Sequence, residues 1–241
     1  MTHTFQIAAA ILLVIITVYL YTKNKKENNR KPVKKVYSRE EAEEFVNRLE
    51  LLGYFRYAAP GEVAALKEGM IESYDPDSEL TSIWDDKTFT PKDFRYYFCD
   101  GEDVYEQGGI INLLKDLRPT FDILGFKCEV TDHYEEWDDE NKWLNHSMTL
   151  NGTAYTIFEN FKETGWGEAP LRIAEILNGE MKKQGIEEKI YLASGGNDGR
   201  LVFLTDQLYK YISTIYRNPN WKPLELSEWA RVMDVSSARF E

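Results

Sequence analysis

A stretch near the start of the sequence lacks charged side chains, which limits what that part of the chain can form. Phe5–Tyr21 reads FQIAAAILLVIITVYLY, and no Asp, Glu, Lys or Arg occurs before Lys23. A helix of this length extends over about 25 Å, close to the thickness of a bilayer core. Its apolar residues cover the whole circumference, whereas a helix on a soluble core has one apolar stripe. Residues 1–22 are therefore predicted to be a transmembrane anchor that contacts the lipid bilayer through Phe5–Tyr21.

This anchor is expected to remain uncleaved. A secretory signal has basic residues ahead of its apolar core and small residues at its cleavage site. Met1–Thr4 contains no Lys or Arg, and Tyr19 and Tyr21 occupy the place where small residues would be needed. Both tyrosines suit the interface between lipid and water. The pattern favours a signal anchor over a cleaved signal peptide.

Basic residues follow the anchor in segment 23–37, which is interpreted as a flexible tether. They are Lys23, Lys25, Lys26, Arg30, Lys31, Lys34 and Lys35, and the only acidic residue among them is Glu27. Basic residues beside a span remain on the cytosolic side and are attracted to anionic lipids. We expect a single-pass protein of the cell membrane, with its N-terminus outside and its C-terminal domain in the cytosol.

The rest of the chain is strongly acidic. The whole sequence has 29 basic and 41 acidic residues, and residues 40–241 hold 21 and 40 of them, a net charge of about −19. Such a charge repels nucleic acid and excludes it as a partner. Two interpretations remain: the charge attracts a basic protein partner, or it only keeps the domain soluble.

Helix and strand patterns predict an α+β domain over residues 38–217, followed by a tail over 218–241 whose Trp221 and Trp229 pack on it. The predicted fold is an antiparallel sheet of meanders and hairpins with packed helices. Ser38 and Glu41 form a capping box at the first helix, and Asn151-Gly152 marks a two-residue hairpin turn. Predicted helices are 38–52, 60–74, 108–124 (interrupted at Pro119), 170–184 and 206–216, and predicted strands are 94–100, 126–137, 142–150, 153–158, 189–194 and 200–205.

A glycine-rich loop, Gly195–Gly199, connects two of these strands. A dinucleotide-binding or phosphate-binding loop would lead from a strand into a helix. Because another strand follows here, the loop is interpreted as a hairpin turn, and no cofactor is expected.

Two histidines and a carboxylate are predicted to lie on one face of a hairpin. A symmetric turn at Asp138–Asn141 places His133 directly opposite His146, with Glu135 two residues along the same face. Two imidazoles and a carboxylate can hold zinc and leave a coordination position open. The alternatives are two polar residues on a solvated face or an aromatic-like cross-strand pair, and a register shift of one residue would separate them.

An acidic and aromatic surface is predicted around the same turn. Its members are Asp132, Glu136, Trp137, Asp138, Asp139, Glu140 and Trp143. Like charges beside a turn often form a solvated strand edge that discourages aggregation. With two tryptophans among them, they also suit the docking of a basic partner.

Three functional hypotheses follow. The favoured one is a membrane-anchored protein whose acidic cytosolic domain binds another protein, and one version is an inhibitory, immunity-like protein that neutralises a basic effector. The alternative is a membrane-tethered hydrolase or metal-dependent enzyme that uses His133, His146 and Glu135. The third is a scaffold whose tail tryptophans form an oligomer contact. An enzyme predicts a concave pocket that holds one of the two histidines, whereas a binding module predicts a continuous acidic surface.

Overall fold

The computed structural model describes residues 37–138, 140 and 143–235. Residues from Tyr37 onward belong to one compact unit. The predicted anchor over residues 1–22 lies outside the described residues, as does the tether apart from Tyr37. Among the helices of the described part, none is both long and apolar enough to span a bilayer.

Runs of helices and runs of strands follow one another along the unit. The helices are α1 (Arg39–Leu51), α2 (Val63–Glu72), α3 (Gly101–Tyr105), α4 (Gly109–Asp116), α5 (Arg118–Leu124), α6 (Glu168–Lys183), α7 (Asp206–Ile215) and α8 (Leu226–Val232). The strands are β1 (Tyr96–Phe98), β2 (Val130–Asp138), β3 (Trp143–Leu150), β4 (Thr153–Phe161), β5 (Lys189–Ala193) and β6 (Arg200–Leu204). Short 3-10 turns occupy Tyr54–Tyr57 and Gly196–Asp198.

The α+β class is confirmed, but the single expected sheet is in fact two. The meander forms one antiparallel sheet in the order β2-β3-β4, and the β5–β6 hairpin joins β1 in a second, in the order β1-β6-β5. Tyr96 of β1 pairs with Val202 of β6, far along the chain. A contact over such a distance leaves no local pattern, because strand patterns report burial and turns rather than distant partners.

The β1-β6-β5 sheet is covered on both faces. Leu201 and Phe203 of β6 point into a core shared with α4, α5, α6, α8 and the β2-β3-β4 sheet. Val202 and Leu204 point into a second core built with α1, α2 and α7. Successive side chains of a strand point to opposite faces, so one strand serves both cores. This buried sheet supports the more exposed β2-β3-β4 sheet, which carries the candidate site.

Local signals set most helix ends. The Ser38–Glu41 capping box is present at α1. The predicted helix 108–124 is divided into α4 and α5 at Leu117, immediately before the Arg118-Pro119 pair. Thr205 is the N-cap of α7, and the short tail helix α8 begins at Leu226.

Two strands and one helix differ from their predictions. Strand β2 begins at Val130 instead of Phe126, whose backbone N–H donates to the Phe121 carbonyl and closes the end of α5. Helix α3, with Asp100 as its N-cap, lies between the predicted strand 94–100 and the predicted helix 108–124 and was not predicted. Strand β4 extends to Phe161, three residues beyond its predicted end. The two strand differences lie at element boundaries, which are the least certain part of any assignment.

The glycine-rich loop and the tail meet. Gly195–Gly199 connects antiparallel strands β5 and β6 as a hairpin, and Gly196 has a positive φ of 59°. Trp229 of α8 is buried, and its Nε1 donates to the Ser194 carbonyl. The indole therefore connects helix α8 of the tail to Ser194, the residue that precedes the glycine-rich loop.

Candidate functional site

His146 lies on the buried face of β3. Along this strand alternate side chains are buried, namely Leu144, His146, Met148 and Leu150. The side chain of His146 is 3 % exposed. The alternative of a fully solvated histidine pair therefore fails for His146, which requires polar partners inside the protein.

The β2–β3 register differs from the predicted one. Glu135, and not His133, stands opposite His146, and Asp138 pairs with Trp143. The turn is centred one residue later than predicted, which moves each pair between Tyr134 and Asp138 by two residues. Side chains alternate with a period of two, so this shift leaves the same residues on the same face.

A β-bulge in β2 brings His133 to the pair. The register shifts between Thr131 and Tyr134, because β2 uses one more residue there than β3 does. Asp132 within the bulge has a positive φ of 48°. A bulge bends its strand and redirects the side chains beside it. His133 Nε2 then lies 3.0 Å from His146 Nε2, with the ring planes at 70°.

The three side chains form a compact donor cluster, here called the triad: His133, Glu135 and His146. Glu135 Oε2 lies 3.9 Å from His133 Nε2. One donor atom from each residue fits within a mutual distance of 4.8 Å. At 3.0 Å, one imidazole donates its Nε2 proton to the Nε2 lone pair of the other. A metal ion would displace that proton, because ligating nitrogens are unprotonated.

Glu135 is held in place by two donors. Its Oε2 accepts from the Gly108 backbone N–H at 2.9 Å, and its Oε1 accepts from Trp137 Nε1 at 3.0 Å. Gly108 is the N-cap of α4, so the carboxylate also lies at the positive end of that helix. The Trp137 ring packs edge-on against Tyr105, with centroids 5.2 Å apart. These contacts fix the direction of the carboxylate before any ligand arrives.

Burial sets the protonation of His146. Desolvation is the main cause that lowers the pKa of His146 to about 4, and His133 lowers it further while the Glu135 carboxylate opposes both. His146 is therefore uncharged at neutral pH. An uncharged imidazole can offer a nitrogen lone pair to a metal without first losing a proton.

A groove opens onto the triad. Its volume is about 520 Å³, and it is lined by Ile111, Leu114, Lys115, Arg118, Cys128, Val130 and His133. His133 is the triad member that reaches it, with a side chain 31 % exposed. A pocket holding one of the two histidines is what the enzyme hypothesis predicts.

The predicted partner surface is only partly exposed. Asp132, Glu136, Trp137 and Glu140 are exposed, whereas Asp138 and Trp143 are half-buried. Trp143 Nε1 donates to Asp138 Oδ2 at 2.6 Å. Asp139 lies outside the described residues. Trp137 belongs both to this surface and to the support of Glu135, so the surface and the triad share a residue.

Sequence reasoning missed Gly108 and the groove. The adjacent glycines Gly108-Gly109 at the start of a predicted helix were the available signal, since a backbone N–H there is free to bind an anion. The two thiols are not activated nucleophiles: burial raises the pKa of Cys99 to about 12 and of Cys128 to about 11.

In comparisons with known proteins, no family model matches the chain, and neither a curated protein nor a solved structure shows significant similarity to it. The proposals below therefore rest on the chemistry of the site itself.

Proposed function

We propose that this domain is a metal-dependent hydrolase in which His133, Glu135 and His146 bind one divalent zinc ion. The observation that carries the proposal is the spacing of their donor atoms. In a tetrahedral zinc site with ligand distances of about 2.0–2.1 Å, neighbouring donors lie about 3.3 Å apart. The distances of 3.0 Å and 3.9 Å within the triad bracket this value.

The donor types support the same metal. Imidazole nitrogen and carboxylate oxygen suit zinc better than the all-oxygen sites that calcium and magnesium prefer. Three protein ligands leave a fourth position for water, whose pKa zinc lowers to about 7. In hydrolysis the water oxygen bonds to the electrophilic carbon or phosphorus, the bond to the leaving group breaks, and the leaving group departs with a proton from the water.

Activity with and without metal tests this proposal. The full chain is stripped with a chelator, reloaded with zinc or magnesium, and assayed with chromogenic carboxylic and phosphate esters. We expect zinc-dependent hydrolysis that is lost in Glu135→Gln and His133→Ala and retained in Tyr134→Phe, whose side chain bonds Glu136 instead of the triad. Hydrolysis that is independent of zinc, or equal in all variants, would overturn the proposal.

The placement of the domain is a separate proposal. The basic run Lys23–Lys35 after the apolar segment Phe5–Tyr21 supports a single-pass membrane protein with a cytosolic C-terminal domain. An enzymatic reporter fused after Glu241 should be active in the cytosol and inactive outside the cell. A reporter that works only outside would reverse the topology.

Protein binding at the β2 edge is a second candidate function. The observation in its favour is that β2 lies at the edge of its sheet. The Tyr134 residue of this strand is 51 % exposed, and Glu136 and Glu140 are exposed as well. An extended basic segment could pair with such an edge and meet its carboxylates, as an inhibitory, immunity-like protein would require.

Charge reversal separates this second candidate from enzyme action. A basic partner recovered from gently solubilised membranes at low salt should be lost in a Glu136→Arg, Glu140→Arg variant. It should be retained in Glu72→Arg, which reverses one carboxylate on α2, outside the acidic surface. Equal recovery from both variants, or recovery of no partner, would count against protein binding.

A further inference from the structure

We infer that the groove beside the triad binds a small amphipathic carboxylate, a molecule that joins an alkyl chain to a carboxylate group. As a ligand class, this inference rests on the hydrolase proposed above. A substrate of that enzyme would carry the same carboxylate and alkyl chain together with an ester bond, whose hydrolysis takes up water and releases an alcohol and an acid. A volume of about 520 Å³ lies within the range typical of small-molecule sites.

One wall of the groove is a single helical face. Ile111, Leu114, Lys115 and Arg118 follow one another at intervals of three, one and three residues along α4 and the start of α5. Residues at such spacing lie on the same side of a helix. The opposite wall comes from Val130 and the segment before it. The apolar members of both walls suit an alkyl chain, whose burial is favourable by about 0.8 kcal/mol per methylene.

The rim of the groove is basic although the domain is acidic. Lys115 Nζ donates to the neutral amide oxygen of Asn112 at 3.3 Å, and its charge also acts on the neighbouring Asp116 carboxylate, with which it forms no hydrogen bond among the described residues. Arg118 Nε donates to Asp122 Oδ1 at 2.8 Å, and the two side chains form an ion pair. Among the described residues, no hydrogen bond involves the terminal guanidinium nitrogens of Arg118, which can bind a carboxylate in a bidentate manner. Two cations beside apolar walls select a ligand that is both anionic and apolar.

The groove also leads to the triad. His133 lines the groove, and its Nε2 is one of the three clustered donor atoms. A ligand whose alkyl chain lies between the walls would thus place a neighbouring bond beside the open metal position. This arrangement accounts for an exposed His133 next to a buried His146.

The alkylation rate of Cys128 can show whether a ligand occupies the groove, because this residue is part of its lining. Its thiol is half-buried in the lining, whereas Cys99 is buried elsewhere in the core. The alkylation of Cys128 by iodoacetamide is followed by mass spectrometry. The sample is the full chain in its own membranes at mildly alkaline pH. Octanoate is the probe, octanol is the uncharged control, and zinc binding is measured on the same samples. Unlabelled Cys99 shows that the domain stays folded.

We expect octanoate to slow the alkylation of Cys128 by roughly tenfold at ten times its Kd, and octanol to have little effect. Lys115→Gln and Arg118→Gln should each raise the half-protecting octanoate concentration by up to about fivefold, and Lys210→Gln on α7 should leave it unchanged. Equal protection by octanol, or full protection in the Lys115→Gln, Arg118→Gln double variant, would overturn the inference.

The two proposals fail in different ways. If zinc binds to the triad but octanoate gives no protection, the inferred substrate class is wrong and the metal site stands. If octanoate protects Cys128 and zinc does not bind, the ligand class of the groove stands and the hydrolase proposal falls.

Discussion

Glu135 stands directly opposite His146 in the β2–β3 ladder, with its carboxylate fixed by the N–H of Gly108. A buried, uncharged imidazole and an oriented carboxylate thus face one another across two hydrogen-bonded strands. His133 completes the cluster from a bulge only two residues before Glu135. A local irregularity in one strand is thus part of the arrangement, since a bulge redirects the side chains beside it.

Substitution of Gly108 should weaken metal binding through Glu135. Gly108 has φ of 78° and open space around its α-carbon, so Gly108→Ala introduces backbone strain without a clash. We expect a loss of about 1 kcal/mol in the free energy of unfolding and roughly tenfold weaker zinc binding.

Gly125→Ala is the matched control, since Gly125 has φ of 67°, equally open space and no contact with the triad. It should cost a similar free energy of unfolding and leave zinc affinity unchanged. Equal zinc affinity in both variants would show that the Gly108 hydrogen bond does not position the carboxylate.

The bulge should depend on the residue that adopts the left-handed conformation. Asp132 has φ of 48°, where a β-branched residue is strained. We expect Asp132→Val to lower the free energy of unfolding by about 1–2 kcal/mol and to weaken zinc binding. Asp132→Gly also removes the carboxylate but tolerates positive φ, so it should retain both properties. Loss of zinc binding in both variants would indicate a role for the carboxylate instead.

Stability of the metal-free protein should fall as the pH is lowered. Burial lowers the pKa of His146 to about 4, below the value of about 6.5 that it has when unfolded. Between these values the unfolded chain binds a proton that the folded chain excludes, so the folded state loses stability as the pH falls. The loss should be about 2 kcal/mol once solvent screening is allowed for.

Chemical denaturation at neutral and mildly acidic pH, followed by tryptophan fluorescence, measures the slope of the free energy of unfolding against pH. His146→Phe keeps an aromatic ring on the same buried face and should reduce it. An unchanged slope in this variant would show that other groups cause it.

Reactivity of the two thiols should differ. Burial raises the pKa of Cys128 to about 11, so its alkylation rate should rise roughly tenfold per pH unit through the alkaline range. Cys99 is 2 % exposed, and its pKa is raised to about 12, so it should remain unmodified in the folded protein. Rates that level off near the ordinary thiol pKa, or equal labelling of both residues, would contradict this account.

Sequence reasoning identified elements whose signals are local. The Ser38–Glu41 capping box lies within one helical turn. The Asn151-Gly152 turn needs two successive residues with positive φ, and these have φ of 51° and 80°. Both features are determined by neighbouring residues, so the printed sequence contains the required information.

The remaining features depend on distant contacts. Tyr96 pairs with Val202, so β1 joins β6 in a sheet separate from the meander. No sequence pattern near either residue predicts this pairing. The triad residues were predicted on one face because strand periodicity survives a two-residue shift. The bulge at Asp132 and the donor at Gly108 were not predicted, because each depends on how β2 meets β3 or α4.

Zinc titration of the full chain against a competing chromophoric chelator tests the central claim most directly. The account predicts one zinc ion bound per chain, with affinity that falls at least roughly tenfold in His133→Ala, His146→Ala and Glu135→Gln while Tyr134→Phe binds as the wild type does. Absence of zinc binding by the folded chain, or equal affinity in all these variants, would contradict it.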